Sequence, residues 1–358
     1  MTAFDAAHRV IVDAVAARVF PAAAIEVGSS EHVLDRHAFG SLTFAEDAAR
    51  ADIHTPFDLA SLTKVVATTT AIMQLVGHGG LRLDEPVMTF FEEWRGGDRE
   101  GVTVGDLLEH TSGLAARLVD LPGTARREFE HDICTMRLEY VPRTRSIYSD
   151  LGFLLLGFLI ADRGASVESP AESVSLESVV SAFSGTDDPL TFTLSPDLAH
   201  RTAPTLPMTH DSRRGRLLAG EVHDDYAAAL GGIAGHAGLF GSAPAVGAFA
   251  RTMLRAARGD VTVPAAFTPA LVARFVTRSP VPGSSRALGW DTMLPTSSCG
   301  TRMSPSAFGH VGFTGTSLWI DPVRDRYFVL LTNRTCGGGT LDRMRDVRRA
   351  FHDALGDV

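Results

Sequence analysis

The chain has 358 residues, of which 45% are hydrophobic and 21% are charged, so it can bury a large core. Its formal net charge of −9 argues against nucleic acid or an anionic membrane as the main partner. No run of about 18 apolar residues occurs, so the sequence predicts no transmembrane helix.

The N-terminal residues 1–9 lack the basic and apolar regions of a secretory signal, so we expect a cytoplasmic protein. The three cysteines, Cys134, Cys299 and Cys336, are odd in number and show no CxxC spacing. This pattern is typical of reduced thiols rather than of disulfides or a metal site.

The first part of the chain predicts a helix, a hairpin and a second helix. Apolar residues at helical spacing predict a helix over residues 4–18, closed by Pro21. Runs of strand-forming residues from Ala22 to Val27 and from Val33 to Phe39 predict a hairpin. A long helical pattern then extends from Ser61 to about Val76, where glycines end it.

The middle of the chain predicts mainly helices. We expect a short helix from Thr103 to Glu109 and a strongly apolar one from Asp150 to Asp162. Residues 164–215, rich in Ser, Pro, Asp and Arg, predict a long insertion. Further helices are expected from Ala243 to Arg258 and from Pro269 to Val276.

The last quarter predicts short strands followed by an amphipathic helix over residues 341–356. The expected strands are Ala287 to Met293, Phe308 to Phe313, Ser317 to Asp321 and Arg326 to Leu331. Strands near both termini predict an α+β fold with one antiparallel sheet flanked by helices. We expect a single domain over residues 1–358. Its α/β part would cover about residues 1–79 and 286–358, with a mainly helical insertion at about 80–285.

Lys64 is the only lysine of the chain, since every other residue among the 33 Lys and Arg is arginine. Arginine stays charged at any accessible pH, whereas a buried lysine can lose its proton. The lysine in Ser61-Leu62-Thr63-Lys64 therefore predicts a proton carrier. The alternative is an accidental lysine on the surface of a helix.

Ser61 opens the predicted helix, so the Lys64 amine, about one turn further on the same face, can reach the serine hydroxyl. Free N–H groups at a helix N-terminus add positive potential there. A serine becomes a nucleophile only when a base takes its proton, and a desolvated neutral lysine can serve. Ser61 is therefore the candidate nucleophile.

The second candidate segment is Tyr148-Ser149-Asp150, directly before the apolar helix. A phenol between the serine and a leaving group can pass a proton in either direction. The alternative is a capping segment, in which Ser149 or Asp150 caps the helix and Tyr148 packs on the core.

The third candidate segment runs from His310 to Thr316, a strand edge followed by small residues. Such an edge can supply backbone N–H groups for an oxyanion hole and a rail for an acyl group. A side chain at Gly312 is then expected to intrude on the bound acyl group. The alternative is a hairpin in which Gly312 and Gly315 only allow a bend.

Together, Ser61-Leu62-Thr63-Lys64, Tyr148-Ser149-Asp150 and His310-Val311-Gly312 resemble the three motifs of serine β-lactamases and penicillin-binding proteins. The tyrosine of the second motif is similar to that of the class C β-lactamase branch, which also includes D-alanyl-D-alanine carboxypeptidases, esterases and D-aminopeptidases. Further segments resemble ones common in that family: residues 107–114, 235–240 and 312–322. The resemblance covers nearly the whole chain.

The resemblance implies a β-lactamase/transpeptidase-like fold and an acyl-enzyme on Ser61, with Lys64 and Tyr148 handling protons. It also implies an oxyanion hole built from the backbone N–H groups of Ser61 and Phe313. The positions that it assigns to substrate binding are Asp150, His310 and Gly312. No metal or cofactor is implied.

Two positions depart from the family pattern. Asp150 stands where lactamases usually carry Asn, and His310 stands where they usually carry Lys. A carboxylate and a mostly neutral imidazole suit an anionic substrate less well than an amide and an ammonium. These departures favour an esterase, amidase or peptidase over a β-lactamase.

Other polar residues receive structural roles. Ser112 is expected in a turn, and His236 either lines the site or is a satisfied structural histidine. A group of histidines and acids lacks ligand spacing on one face, so we expect no metal there. The group consists of His210, Asp211, His223, Asp224 and Asp225.

We therefore predict a cytoplasmic serine hydrolase that acts on a small ester or amide, with at most weak β-lactamase activity and without a cofactor. Nucleic acid and membrane are not expected as partners. Two alternatives stay open, a non-catalytic binding or scaffold protein on the same fold and a cytosolic acyltransferase. Intact Ser61, Lys64 and Tyr148 argue against a scaffold.

Overall fold

The structure is a computed structural model that describes residues 2–121, 123–165, 173–356 and 358. Its helices are α1 (Ala3–Ala16), α2 (Thr70–Gly77), α3 (Val104–Leu108), α4 (Arg126–Thr135), α5 (Asp150–Ala165), α6 (Leu176–Ser181), α7 (Pro196–Arg201), α8 (Asp225–Ala229), α9 (Ala243–Ala257), α10 (Pro269–Val276) and α11 (Leu341–Ala354). Its strands are β1 (Ala22–Gly28), β2 (Val33–Gly40), β3 (Phe57–Asp58), β4 (Leu190–Thr191), β5 (Phe240–Gly241), β6 (Asp291–Thr292), β7 (Phe308–Val311), β8 (Ser317–Asp321) and β9 (Arg326–Thr332).

The main sheet of the described chain has six strands in the order β2-β1-β9-β8-β7-β6, all antiparallel. Strand β1, near the N-terminus, pairs with β9, near the C-terminus, so that Ala24 lies opposite Leu331 and Ile25 opposite Leu330. The sheet therefore joins the two ends of the chain, and the predicted α+β fold is confirmed.

Helices cover both faces of this sheet. Successive side chains of a strand point to opposite faces, and every residue of β1 is buried. Ile25 packs in a cluster with Ile11 of α1 and Phe351 of α11. Ala24 belongs to a larger cluster on the other face, which includes Phe249 of α9. The sheet is thus a buried layer between helices.

A second sheet, in the order β3-β5-β4, positions the candidate nucleophile. Phe57 pairs with Gly241 and Asp58 pairs with Phe240. This pairing brings the chain that leads into Ser61 beside the chain that follows His236.

The clearest difference between prediction and structure lies after Arg286. The strand expected from Ala287 to Met293 is wrong, since only Asp291–Thr292 is a strand. Gly289 has a φ of +85°, and Arg286 bridges to Asp291 across the resulting turn. Only glycine adopts this conformation readily, and it cannot continue an extended strand.

The helix expected from Ser61 begins one residue later. Ser61 lies in a turn, and helical structure starts at Leu62. Lys64–Thr69 is a π-helical turn that runs directly into α2. Such π-helical turns are frequent at functional sites.

The insertion expected over residues 164–215 contains α6, β4 and α7, and its residues 166–172 lie outside the described part. Cys134, Cys299 and Cys336 are free and buried, and burial raises the pKa of the Cys134 thiol to about 12. None of the described helices has the length and apolar character needed to cross a bilayer.

Candidate active site

Ser61 follows a strained turn that the buried Asp58 holds in place. Ala60 has a φ of +48°, a left-handed conformation that a non-glycine residue adopts at a cost. The Asp58 carboxylate accepts hydrogen bonds from the Ala60 N–H at 2.8 Å and from the His223 N–H at 2.6 Å. Burial raises the pKa of Asp58 to about 6, although these N–H bonds oppose the rise. Asp58 thus fixes the backbone that presents Ser61.

Lys64 is fully buried, and its amine contacts three acceptors. The Nζ donates to Ser61 Oγ at 3.1 Å, to Asp150 Oδ1 at 2.7 Å and to the His236 carbonyl at 3.1 Å. Three acceptors match the three donors of an ammonium, whereas a neutral amine would turn its lone pair toward one of these oxygens. Burial alone would lower the pKa of Lys64, but Asp150 and Tyr148 raise it above its ordinary value.

These contacts favour an ammonium at Lys64 over the neutral amine that the sequence suggested as a possible base. Desolvation, the physical reason for a neutral amine, is outweighed by a carboxylate in direct contact. Because the ammonium donates to Ser61 Oγ, the hydroxyl proton of Ser61 must point to another acceptor.

Asp150, the first residue of α5, connects Lys64 to Arg117. Its Oδ1 accepts from Lys64, and its Oδ2 accepts from Arg117 Nη1 at 3.3 Å. Two cations thus share this carboxylate, so its charge is balanced within the protein. This balance offsets the repulsion toward an anionic substrate that the sequence suggested.

Arg117 also binds two acids that come from the beginning of α8. Its Nη1 donates to Asp224 Oδ2 at 3.0 Å, and its Nη2 contacts Asp225. Asp224 Oδ1 lies 2.7 Å from His236 Nε2, and the His236 carbonyl accepts from Lys64. Burial alone would raise the pKa of Asp224, but His236 and Arg117 hold it below its ordinary value. A ring of polar contacts results, formed by Lys64, Asp150, Arg117, Asp224 and His236.

Tyr148 packs among aromatic and cationic side chains. Its ring centre lies 4.7 Å from that of His110, 5.8 Å from that of His310 and 4.9 Å from Lys64 Nζ. Its hydroxyl is buried and has no hydrogen-bond partner among the described residues. Such a group is costly to bury unless it has a task. Its unpaired oxygen makes Tyr148 a candidate acceptor for the Ser61 proton.

His310 is neutral in this environment. Burial, together with the charges of Arg286 and Lys64, holds its pKa well below its ordinary value. Its Nδ1–H donates to the carbonyl of Val311 at 2.9 Å, which leaves Nε2 as an acceptor. The Nε2 atom is buried and unpartnered within the described chain. His310 thus offers the cavity a lone pair and no positive charge.

Ser61 and Phe313 present backbone N–H groups that donate to no described residue. The loops that carry them are tied together, since Thr316 Oγ1 donates to the Leu59 carbonyl at 2.9 Å and Thr314 Oγ1 donates to the Asp58 carbonyl at 2.7 Å. Two free N–H groups on adjoining loops are what an oxyanion hole requires.

Gly312 is constrained by the protein itself. A Cβ there would lie 2.6 Å from the Leu59 carbonyl oxygen and 2.1 Å from Thr316 Oγ1. A side chain would therefore push the loop of Phe313 away from the turn of Ser61. A side chain at Gly312 would therefore clash with the protein even when no substrate is bound, whereas the sequence suggested only a clash with the bound acyl group.

A cavity of about 610 Å³ opens onto Ser61. Its lining includes the predicted residues Ser61, Tyr148, Asp150, His310, Gly312 and Phe313, while Lys64 reaches it through its contacts to Ser61 and Asp150. The structure therefore brings all the predicted site residues together.

Arg286 lines the same cavity and was missed by the sequence reasoning. Its guanidinium lies 5.0 Å from the ring centre of Tyr148. It forms no ion pair and no side-chain hydrogen bond with any residue that the structure describes. Nothing local in the sequence distinguishes it from the other arginines, so only the fold identifies it as a free cation.

The remaining polar residues take structural contacts. Ser112 lies in a turn, where its Oγ accepts from the Leu114 N–H at 3.4 Å. Asp211 pairs with Arg213 at 2.6 Å, and His210 lies 3.0 Å from Asp225. The His223 ring stacks on Phe313, with 5.6 Å between ring centres.

Comparisons with known proteins identify the family of the chain. The model of the Beta-lactamase family matches residues 7–352. A protein of Escherichia coli strain K12 that carries the name of a D-alanyl-D-alanine carboxypeptidase is 28% identical over 354 residues, which cover 88% of this chain and 79% of that protein.

Solved structures share the fold. A class C β-lactamase from Rhodobacter sphaeroides superposes with a TM-score of 0.72 at 18% identity, covering 98% of both chains. EstCE1, a hydrolase with promiscuous acyltransferase activity, superposes with a TM-score of 0.73 at 18% identity, also covering 98% of both chains. The chain therefore belongs to the Beta-lactamase family and is a serine hydrolase.

Proposed function

We propose that the protein hydrolyses a small ester or amide through an acyl-enzyme on Ser61. The observation that carries the proposal is the hydrogen bond from the Lys64 ammonium to Ser61 Oγ, with the free N–H groups of Ser61 and Phe313 on adjoining loops. The ammonium orients the serine oxygen, and the N–H groups are available to stabilise a negative carbonyl oxygen.

In the proposed acylation, Ser61 Oγ attacks the carbonyl carbon of the substrate. In one concerted step, the Tyr148 oxygen takes the Ser61 proton while its own proton moves to the oxygen or nitrogen of the leaving group, so that Tyr148 stays a neutral phenol. Lys64 keeps its proton and stabilises negative charge that develops on Ser61 Oγ and on the Tyr148 oxygen. In deacylation, water attacks the acyl carbonyl, and the same relay returns a proton to Ser61.

Arg286 points to the substrate class. It is a cation without an ion pair among the described residues, and it lines the cavity beside Tyr148. A substrate carboxylate near the scissile bond would supply its missing partner. The D-alanyl-D-alanine carboxypeptidase name of the Escherichia coli relative fits such a substrate, because a carboxypeptidase acts beside a terminal carboxylate.

We expect at most weak turnover of β-lactams. Asp150 can accept hydrogen bonds but cannot donate one, unlike the Asn usual in lactamases, and both its oxygens are engaged by Lys64 and Arg117. His310 is neutral and donates through Nδ1 to its own strand. Neither residue therefore supplies the donor or cation that a β-lactam usually meets.

The test is selective labelling of Ser61 with a fluorophosphonate, followed by intact-mass measurements with esters, D-amino-acid amides, D-alanyl peptides and penicillins. A hydrolase should form a label on Ser61 that is absent in Ser61→Ala, and transient acyl adducts with at least one substrate class. A scaffold protein would form no selective adduct. An acyltransferase would convert added alcohols or amines to transfer product faster than it releases the free acid.

A further inference from the structure

A second cluster of reactive side chains lies away from Ser61, between α1 and the edge strand β2. His8 comes from α1, and Asp35 and His37 come from β2. Asp35 and His37 are two residues apart on a strand, so they point to the same face. Their partners in β1, Val27 and Ile25, pack in the cluster that α1 covers, so this face is the one toward α1.

The three side chains converge on one point. His8 Nε2 lies 2.6 Å from Asp35 Oδ2, and His37 Nδ1 lies 3.5 Å from Asp35 Oδ1. One ligand atom from each residue lies within 4.8 Å of the other two. Atoms bound to one zinc ion lie about 2.0–2.2 Å from it, so they are about 3–4 Å apart. A small rotation of His37, which is 57% exposed, brings the set into that range.

The charges around Asp35 favour a bound cation between the three side chains. Two imidazoles and a carboxylate carry one negative charge when the imidazoles are neutral. The nearest arginine in the strand, Arg36, points to the other face and donates to Glu26 at 2.6 Å, so it does not neutralise Asp35. The His8 ring is also held by an edge contact with Phe39, at 5.3 Å between ring centres. The ligands are thus partly fixed before a metal arrives.

We propose that His8, Asp35 and His37 form a binding site for a divalent transition metal such as Zn²⁺. Two imidazoles and one carboxylate suit Zn²⁺, Co²⁺ and Ni²⁺ better than Mg²⁺ or Ca²⁺, which prefer oxygen ligands. The exposed side of the cluster leaves the remaining coordination positions to water. The site does not touch the cavity at Ser61, so it is independent of the acyl transfer proposed above.

The bound ion would clamp the first helix onto the edge of the sheet. A metal that binds the folded chain and not the unfolded one stabilises the fold by mass action. At a Zn²⁺ concentration about 100-fold above the dissociation constant, we expect the thermal midpoint to rise by roughly 5 °C.

The experiment uses the tag-free full chain after chelator treatment. Calorimetric titration with ZnCl₂ should give one ion per chain, and Co²⁺ in its place should produce the visible absorption of a low-symmetry site. His37→Ala should lose both signals and the rise in thermal midpoint, and Asp35→Asn should weaken them. The control is His32→Ala, since His32 lies in the same hairpin with a side chain that is 75% exposed and outside the cluster.

Because His37 is exposed, His37→Ala should fold as the wild type does, and its thermal midpoint in chelator checks this. Zn²⁺ binding that persists unchanged in His37→Ala would place the ion elsewhere and overturn the proposal. The absence of binding at about 100 μM Zn²⁺ would show that Asp35 serves only as a hydrogen-bond partner for His8.

Discussion

Lys64 Nζ and Asp150 Oδ1 lie 2.7 Å apart, with the lysine side chain fully buried and the aspartate side chain 14% exposed. An asparagine at position 150 would offer Lys64 an oxygen without a charge. The aspartate adds a charge, which Arg117 shares from the other side of the carboxylate. A buried charge that loses its partner is strongly destabilising, so Asp150 and Arg117 should depend on each other.

Arg117→Gln should reduce kcat/KM for acylation by about 10-fold or more, because Asp150 is left with a charge that Lys64 alone must balance. In an Asp150→Asn background, the same change should cost much less. A double-mutant cycle on the acylation rate should therefore give a coupling of about 1 kcal/mol or more between the two positions.

The control for this cycle is Arg127→Gln, which removes an exposed arginine of α4. It should leave the rate unchanged in both backgrounds. Additive effects of Arg117→Gln and Asp150→Asn would mean that Arg117 acts through Asp224 and Asp225 alone.

Tyr148→Phe should separate catalysis from stability. The variant keeps the ring packing but removes a hydroxyl that is buried without a described partner. Acylation should fall by about 10² to 10⁴-fold with the loss of the proton relay. The thermal midpoint should stay equal or rise, because the hydroxyl is a buried polar group without a described partner.

The matched control is Tyr140→Phe. The Tyr140 hydroxyl donates to the His110 carbonyl at 2.9 Å, so its removal should lower the thermal midpoint and affect the rate less. Stopped-flow acylation and thermal denaturation measure both quantities. A marked loss of stability in Tyr148→Phe would show that its hydroxyl has a structural bond in solution.

The residues around the nucleophile could be predicted because each of them lies in a short sequence motif. Ser61 and Lys64 are three residues apart, and the fold brings Tyr148 and Asp150 to them as the motifs suggested. The ring behind them could not be predicted. Arg117 meets Asp224 across 107 residues of sequence, so no local pattern joins the two residues.

The local sequence pattern also gave a wrong prediction where the backbone conformation of a single residue decides the structure. The apolar run after Arg286 resembles a strand, but Gly289 turns the chain, and this turn belongs to the segment that presents Arg286 to the cavity. The charge state of Lys64 could not be predicted either, because it depends on three acceptors from three separate segments. The division into an α/β part and a helical insertion, at about residues 80 and 285, stays a prediction.

Arg286→Gln should weaken the binding of substrates that carry a carboxylate and of no other class. If Arg286 pairs with a substrate carboxylate, the variant should raise KM by about 10-fold or more for a carboxylate substrate. The methyl ester of the same carboxylate should show little change. Steady-state kinetics on this matched pair of substrates measure the difference. Equal losses on both substrates would mean that Arg286 acts through the Tyr148 ring instead.

Gly312→Ala should lower stability and activity together. The added Cβ would meet the Leu59 carbonyl oxygen, so the loops that carry the Phe313 and Ser61 N–H groups must separate. We expect a loss of about 1–3 kcal/mol in the free energy of unfolding. The control is Gly97→Ala, because an added Cβ at Gly97 meets nothing within 4 Å. If Gly312→Ala keeps normal stability but loses activity, the added Cβ clashes with the bound acyl group and not with the Leu59 carbonyl.

His352 should make the fold sensitive to acid. It is 1% exposed on α11, and burial together with Arg348 lowers its pKa from 6.5 to about 3. The unfolded chain takes up the proton below about pH 6.5, whereas the folded chain does not. The stability that neutral His352 contributes is thus complete above about pH 6.5 and is lost as the pH falls toward 3.

At about pH 5 this loss amounts to about 2 kcal/mol relative to pH 7. His352→Gln keeps a hydrogen-bonding group near Ser317 Oγ, which lies 3.3 Å from His352 Nε2, but cannot titrate. Urea denaturation between about pH 5 and pH 8 should therefore show a shallower acid loss in His352→Gln than in the wild type. His78→Gln, which changes an exposed histidine, should follow the wild-type slope. Parallel curves for His352→Gln and the wild type would mean that His352 is protonated in the folded protein, with Arg348 displaced from it.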